Sequence, residues 1–211
     1  MKKLSGIYLV LDPSLPWDLL CKKVHSALKG GVSILQIWNH WNQEVSQAEK
    51  IDFINEIKAV AELFHTPVLM HEDWQLANKL ELDGVHFDVV PERFDLVKAT
   101  LKDKYIGLTV GNNLELVSWA EEQDLSYISF CAMFPSSSVD SCEIVDQQTV
   151  VNARRITRLP IFLSGGIQPE NLKELSQLPF VGIAIISGII NADDPENTVR
   201  QYLTILENMK N

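Results

Sequence analysis

Apolar positions along this chain follow two alternating rhythms. Short β-rich runs recur at Gly6–Asp12, Ser33–Ile37, Pro67–His71, Gly84–Phe87, Tyr105–Val110, Tyr127–Cys131, Pro160–Ser164 and Val181–Ile186. Between them lie longer stretches with apolar residues at steps of three and four. Trp17, Leu20, Val24, Ala27 and Leu28 make one such stripe, and Ile51, Ile54, Ile57, Ala61 and Phe64 make another. Adjacent strand residues face opposite ways, whereas helical residues three or four apart share a face. The alternation therefore predicts βαβ units and a parallel sheet. Punctuation agrees: Gly30-Gly31 stops the first stripe. Asp194-Pro195-Glu196 opens a last helix, with Val199, Tyr202, Leu203, Leu206 and Met209 on its packing face.

Eight strands with helical crossovers close into a barrel, whereas an open doubly wound sheet of about five or six strands leaves some of the runs without a place. The expected fold is α/β, a single (β/α)8 TIM barrel over residues 1–211. No Pro-, Gly- or Ser-rich linker divides the chain, although Phe134–Asp146 is a long polar loop, of the kind that serves a site or moves.

Composition narrows the partners. The 211 residues are 46% hydrophobic and 22% charged, enough for one sizeable core. Eighteen Lys and Arg against 28 Asp and Glu give a net charge of −10, a field that repels nucleic acid and acidic membranes. An anionic ligand must be gripped locally. Cys21, Cys131 and Cys142 fit neither a disulfide framework nor a four-cysteine zinc site, and the opening MKKLSGIYLV lacks a secretory pattern. With no apolar run near the roughly 20 residues that span a bilayer, a cytoplasmic protein is expected. A homo-oligomer stays open.

In such a barrel, ligand chemistry sits at the C-terminal ends of the strands. Two glycine-bearing groups fall there. Ser164-Gly165-Gly166-Ile167 follows the seventh strand and precedes a helix expected to open at Pro169, and Ile186-Ser187-Gly188 follows the eighth. Unblocked backbone N–H groups beside helix starts can hold a phosphate without Lys or Arg; the alternative is that these glycines only turn the chain. Three of the five histidines, His40, His71 and His86, also fall at or beside strand ends and are acid/base candidates. Glu72 could orient His71 or carry a proton, but a regular strand would send the two to opposite faces. His71-Glu72-Asp73-Trp74-Gln75 lacks the second histidine of a helical zinc motif, so zinc is rejected. Glu72, Asp73 and Asp88 offer oxygen ligands to magnesium, with solvated surface carboxylates as the plainer reading. Trp38 and Trp41 flank His40 and either stack on a planar heterocycle or roof the barrel.

The order of these motifs resembles the thiamine phosphate synthase and thiazole tautomerase family over nearly the whole length. Gly6-Ile7-Tyr8-Leu9-Val10-Leu11-Asp12-Pro13 is similar to the family's opening strand, and Gly30-Gly31-Val32-Ser33-Ile34-Leu35-Gln36 to its second. Leu82-Asp83-Gly84-Val85-His86-Phe87 resembles the fourth, and Phe134-Pro135-Ser136-Ser137-Ser138 the loop that holds diphosphate in the synthases. Ser164-Gly165-Gly166-Ile167 with Asn171, and Ile185-Ile186-Ser187-Gly188-Ile189, resemble the thiazole phosphate site. The resemblance implies a thiamine-pathway protein that binds a thiazole phosphate. The synthase joins that thiazole to a pyrimidine methyl diphosphate, with magnesium and loss of diphosphate.

Several synthase positions differ here. The synthases' Gln-x-Arg-x-Lys string is Gln36, Trp38 and His40 in this chain, so two cations are missing. Their Asn-Asp magnesium motif corresponds to His71-Glu72, which makes Glu72 the substitute metal ligand. The second magnesium aspartate aligns near Pro91, with Asp88 close by, and the lysine after the Ser/Thr loop is Val139. Each lost donor to developing charge commonly costs about 3 kcal/mol, roughly a hundredfold in rate. The expectation is a synthase-like protein with an intact thiazole phosphate half-site and a degenerate diphosphate and magnesium half-site. One alternative is a tautomerase-like proton-transfer enzyme. The family's tautomerase histidine falls at Gly111, so His40, His71 or Glu72 would have to act. The other alternative is a non-catalytic phosphate-ligand binder.

Overall fold

The structure is a computed structural model that describes residues 4–135 and 143–209. The strands β1 (Gly6–Leu11), β2 (Val32–Ile37), β3 (Val68–His71), β4 (Gly84–Phe87), β5 (Tyr105–Thr109), β6 (Tyr127–Cys131), β7 (Ile161–Ser164) and β8 (Gly182–Ile185) form a closed barrel in sequence order. Every neighbouring pair is parallel, including β1 with β8. This is the (β/α)8 barrel expected from the strand count, and each predicted strand lies within one residue of its observed bounds.

The two-residue period sorts the strand residues into two cores. Tyr8, Ile34, Leu69, Tyr105, Tyr127 and Phe162 fill the barrel interior, while Ile7, Leu9, Leu35, Met70, Val85, Leu108, Phe130, Leu163 and Ile183 face the helices. Interior rings need small neighbours. A Cβ on Gly107 would lie 2.0 Å from the Tyr127 ring, and one on Gly182 would lie 2.5 Å from the Phe162 ring, so glycines on one strand admit aromatics from the next.

The helices α1 (Trp17–Gly30), α2 (Gln47–Glu62), α3 (Trp74–Lys79), α4 (Phe94–Thr100), α5 (Leu114–Glu122), α6 (Gln147–Ile156), α7 (Ser187–Ile190) and α8 (Pro195–Asn208) cover the outside. Gly31, at φ 108°, caps α1 in the left-handed region, and its N–H donates to Leu28 O at 3.1 Å. Asp194 caps α8 by accepting from Asn197 N at 3.1 Å. Val199, Tyr202 and Leu206 then bury the predicted stripe.

One predicted element differs. The segment opened by Pro169 makes only a 3-10 turn, Leu172–Leu175, instead of a helix. Asn171 explains this, because its side chain accepts from Gln168 N at 2.8 Å and donates to Gly166 O at 2.9 Å. Such side-chain bonds compete with helical ones, and Pro179 blocks extension downstream.

Candidate functional site

A cavity of about 510 Å3 opens at the C-terminal ends of the strands, lined by residues from β1 to β8. A larger hollow, about 630 Å3, opens at the opposite end around Lys58, Glu62, His65 and Asp83. The C-terminal cavity gathers both glycine turns and two of the strand-end histidines, and it lies where barrels of this type carry their chemistry.

One side of the mouth is built from main chain. Gly165 and Gly166 adopt φ of 84° and 66°, which side-chain-bearing residues rarely tolerate. A Cβ on Gly165 would lie 2.5 Å from that of Ala132, and one on Gly166 would lie 2.6 Å from the carbonyl oxygens of Phe134 and Pro135. The carbonyls of Ser164, Gly165 and Gly166 accept from Met133 N, Phe134 N and Asn171 Nδ2 at 2.8, 3.1 and 2.9 Å. Ser187 and Gly188 stand in the first turn of α7, beside Gly165 and Gly166 in the cavity wall. A helical first turn leaves backbone N–H groups without intrahelical acceptors. Because β7 is followed only by the 3-10 turn, the expected contribution of a helix start at Pro169 is absent.

The other side is built from side chains. The Tyr8 hydroxyl is 2.5 Å from the Gln36 side-chain amide and 2.8 Å from the Tyr127 hydroxyl. Tyr127 is 2.9 Å from His86 Nδ1, and His86 Nε2 is 2.9 Å from Thr109 Oγ1. Thr109 donates to Asp88 Oδ1 at 3.0 Å, and Asp88 Oδ2 lies 2.9 Å from His71 Nε2. Burial pushes His86 down to about 4, the pull of the Asp88 charge notwithstanding, so the ring is neutral at neutral pH. Burial also works upward on the Asp88 carboxyl. Hydrogen bonds from His71 and Thr109 and the nearby imidazoles outweigh it and hold Asp88 at about 2. Burial raises both Tyr8 and Tyr127, which therefore stay protonated.

Counting hydrogens fixes the string's polarity. Five contacts from Gln36 to Asp88 need five hydrogens, and Tyr8, Tyr127, neutral His86 and Thr109 supply four. The fifth comes from Gln36 when its amide turns its NH2 toward Tyr8, since side-chain amide N and O are interchangeable by rotation.

The predicted site residues separate into groups. Gln36, Trp38, His71, Ser164, Gly165, Gly166, Ile186, Ser187 and Gly188 all line the cavity. Glu72 stands beside it. The strand ends at His71, and Glu72 adopts φ 62°, so a regular alternation no longer holds. Its carboxylate accepts from Asp88 N at 2.6 Å and lies 3.9 Å from His71 Nε2. His40 does not line the cavity. Its ring is 57% exposed, bonds Asp12 at 3.0 Å and lies against Trp38 at 4.7 Å between centroids. Trp41 is not at the mouth either, because it packs against Trp17 and Phe53 on the helix side. Gly111 has open space around it and offers no side chain for proton transfer. Ser136, Ser137 and Ser138 lie outside the described residues.

The residues missed in the sequence are Tyr8 and Tyr127, and with them the linking role of Thr109. Their signal was the two-residue period. A tyrosine on the inward face of two strands places a buried hydroxyl inside the barrel, and such a group needs a partner.

Fold and site together define a (β/α)8 barrel whose ligand cavity joins a glycine-built rim to an imidazole and carboxylate rim. The chain belongs to the thiamine monophosphate synthase family, whose profile matches residues 7–189. It is 29% identical to the thiamine-phosphate synthase of Picrophilus torridus over 201 residues, covering 95% of this chain and 96% of that protein. It is 27% identical to the thiamine-phosphate synthase of Clostridium perfringens over 208 residues, covering 97% and 98%. The solved thiamine phosphate pyrophosphorylase from Pyrococcus furiosus superposes with a TM-score of 0.84 at 19% identity, over 98% and 97% of the two chains, a likeness of fold. Among the described residues, no helix is long and apolar enough to cross a membrane.

Proposed function

We propose that the chain is a thiamine phosphate synthase-like protein of thiamine biosynthesis that binds a thiazole phosphate and has a weakened diphosphate half-site. The observation that carries this reading is one cavity that contains both glycine turns and no Lys or Arg among its described lining residues. The stretch 136–142 reads SSSVDSC and contains no Lys or Arg.

In this reading the main-chain N–H groups of Gly165, Gly166, Ser187 and Gly188 hold the phosphate. The Gln36 amide orients the ring, Trp38 covers it, and Ser164 and Ile186 shape the pocket. Ser136, Ser137 and Ser138 would flank a second anion. His71 and Glu72 are the candidates for acid/base work, with Asp88 holding the His71 ring. His40 is the least supported of the proposed catalytic groups, because it packs on Trp38 at the rim. The tautomerase-like and purely binding readings gain nothing from the relatives above, which carry synthase names.

The family resemblance implies magnesium. His71, Glu72 and Asp88 each bring one ligand atom into a cluster within 4.8 Å. One of the three is an imidazole nitrogen, whereas magnesium takes oxygen ligands in a strict octahedron. The donor set does not fit magnesium.

The test is turnover of the purified protein with magnesium and both family substrates. The expected rate is at least about a hundredfold below that of a relative carrying the Gln-x-Arg-x-Lys string, since at least one charge-stabilising donor is gone. Equal rates would overturn the weakened half-site.

A further inference from the structure

We propose that His71, Glu72 and Asp88 bind a borderline divalent transition ion, of the Mn2+, Co2+ and Zn2+ group, in preference to magnesium. The inference is independent of the phosphate-ligand reading, which concerns the opposite rim. It replaces the acid/base role given to His71 and Glu72, and it sets aside the rejection of zinc because Asp88 stands where the motif wanted a second histidine.

Geometry supplies the first reason. Ligands at about 2.1 Å from one ion stand roughly 3 to 3.5 Å apart in tetrahedral or octahedral arrangements. His71 Nε2 is 2.9 Å from Asp88 Oδ2 and 3.9 Å from Glu72 Oε1, which straddles that spacing. The two elements involved are locked together, since Glu72 N donates to His86 O at 2.9 Å and Asp88 N donates to the Glu72 carboxylate at 2.6 Å.

Charge supplies the second. Among the described residues, the only ion-pair partners of Glu72 and Asp88 within 4.0 Å are His71 and His86, with no Lys or Arg. Two carboxylates therefore share one corner of the mouth with no permanent cation beside them, and a divalent ion would balance them.

The state of the two imidazoles supplies the third. His86 has both ring nitrogens engaged, by Tyr127 and Thr109, and is committed to the protein. His71 is buried, its Nδ1 has no partner among the described residues, and its Nε2 meets only carboxylates of the same cluster. An ion between Nε2 and Oδ2 would take the place of the hydrogen they share. The Asp88 side chain is 56% exposed and that of Glu72 is 36% exposed, so an ion can enter and keep water in its open positions.

Ligand type then selects the ion. Imidazole suits zinc and its first-row neighbours, whereas an all-oxygen shell suits magnesium.

The test is titration of the EDTA-stripped full chain with Co2+, read by its visible absorption, with Zn2+ and Mg2+ as competitors and no thiazole phosphate present. The expected result is one Co2+ per chain, displaced by tenfold Zn2+ and retained in hundredfold Mg2+. His71→Asn should weaken Co2+ at least about tenfold, the usual scale for a lost ligand or its support. His71→Asp, which makes the set all-oxygen, should let Mg2+ compete. Thermal melts of both variants check folding, and the wild-type competition decides the matter if either fails to fold. Displacement by Mg2+ as readily as by Zn2+, a cobalt–thiolate band, or unchanged affinity in a folded His71→Asn variant would each overturn the site. Without phosphate ligand in the cell, a negative result leaves the thiazole phosphate reading standing, and loss of that reading leaves this one.

Discussion

The two rims of the barrel mouth are made from different parts of the polypeptide. At β7 and β8 the working surface is backbone, shaped by Gly165, Gly166 and Gly188. From β3 to β6 it is side chain, with Tyr127, His86, Thr109, Asp88 and His71 in one hydrogen-bonded string. A backbone rim needs only the absence of side chains, so drift elsewhere in the mouth leaves it intact. A side-chain rim changes its chemistry whenever one member changes type. In this chain His71, Glu72 and Asp88 make the second rim a carboxylate and imidazole cluster, while glycines shape the first.

The sharpest way to break the comparison is at Gly166. Gly166→Ala places a Cβ against two carbonyl oxygens at a φ of 66°. It should weaken thiazole phosphate by about a hundredfold, equivalent to about 3 kcal/mol, in a calorimetric titration. An unchanged dissociation constant would remove the glycine turn from the phosphate reading.

Tyr127→Phe acts on the other rim. It strips the hydroxyl from between Tyr8 and His86, all three buried. Buried groups left without partners cost about 1 to 3 kcal/mol, so the melting temperature should drop by about 2 to 12 °C, at about 2 to 4 °C per kcal/mol for a chain of this size. Phosphate affinity should change far less than in Gly166→Ala.

Acid should also act through the side-chain rim. His86 titrates at about 4 in the folded chain against 6.5 when free. Between those values the unfolded chain binds a proton that the folded one refuses, so stability falls as pH drops from 6.5 toward 4. The slope is at most about 1.4 kcal/mol per pH unit. Asp88, held at about 2 against 3.8, adds a second loss only below 3.8. Urea melts across pH 7 to 4 measure the first slope, and His86→Gln should flatten it.

The smallest effect is expected at the edge. His40→Ala removes an exposed ring bonded, among the described residues, to Asp12 and resting on Trp38, and should shift stability by less than about 0.5 kcal/mol.

The barrel itself was legible in the amino-acid sequence, because hydrophobic periodicity is local and each strand run carries it. The glycine turn after β7 was legible too, since Gly165 and Gly166 take positive φ there. The side-chain string was not. Tyr8 and Tyr127 are 119 residues apart, and nothing local at either position says that the two hydroxyls meet inside a closed cylinder. His71 and Glu72 were readable as a pair, but the left-handed turn at Glu72 that brings both to the mouth has no glycine or asparagine to announce it. His40 looked equivalent to the other strand-end histidines, yet it sits three residues past the end of β2, where Asp12 and Trp38 capture it.

The most direct test of the contrast is to measure the affinities of the two family substrates for the same protein, thiazole phosphate and the pyrimidine methyl diphosphate, each alone. A backbone rim that holds its anion in a cavity with no Lys or Arg among its described lining residues should bind the thiazole phosphate at least about tenfold more tightly, a difference of about 1.4 kcal/mol. Tighter binding of the diphosphate would contradict the division of the mouth into one working rim and one altered rim.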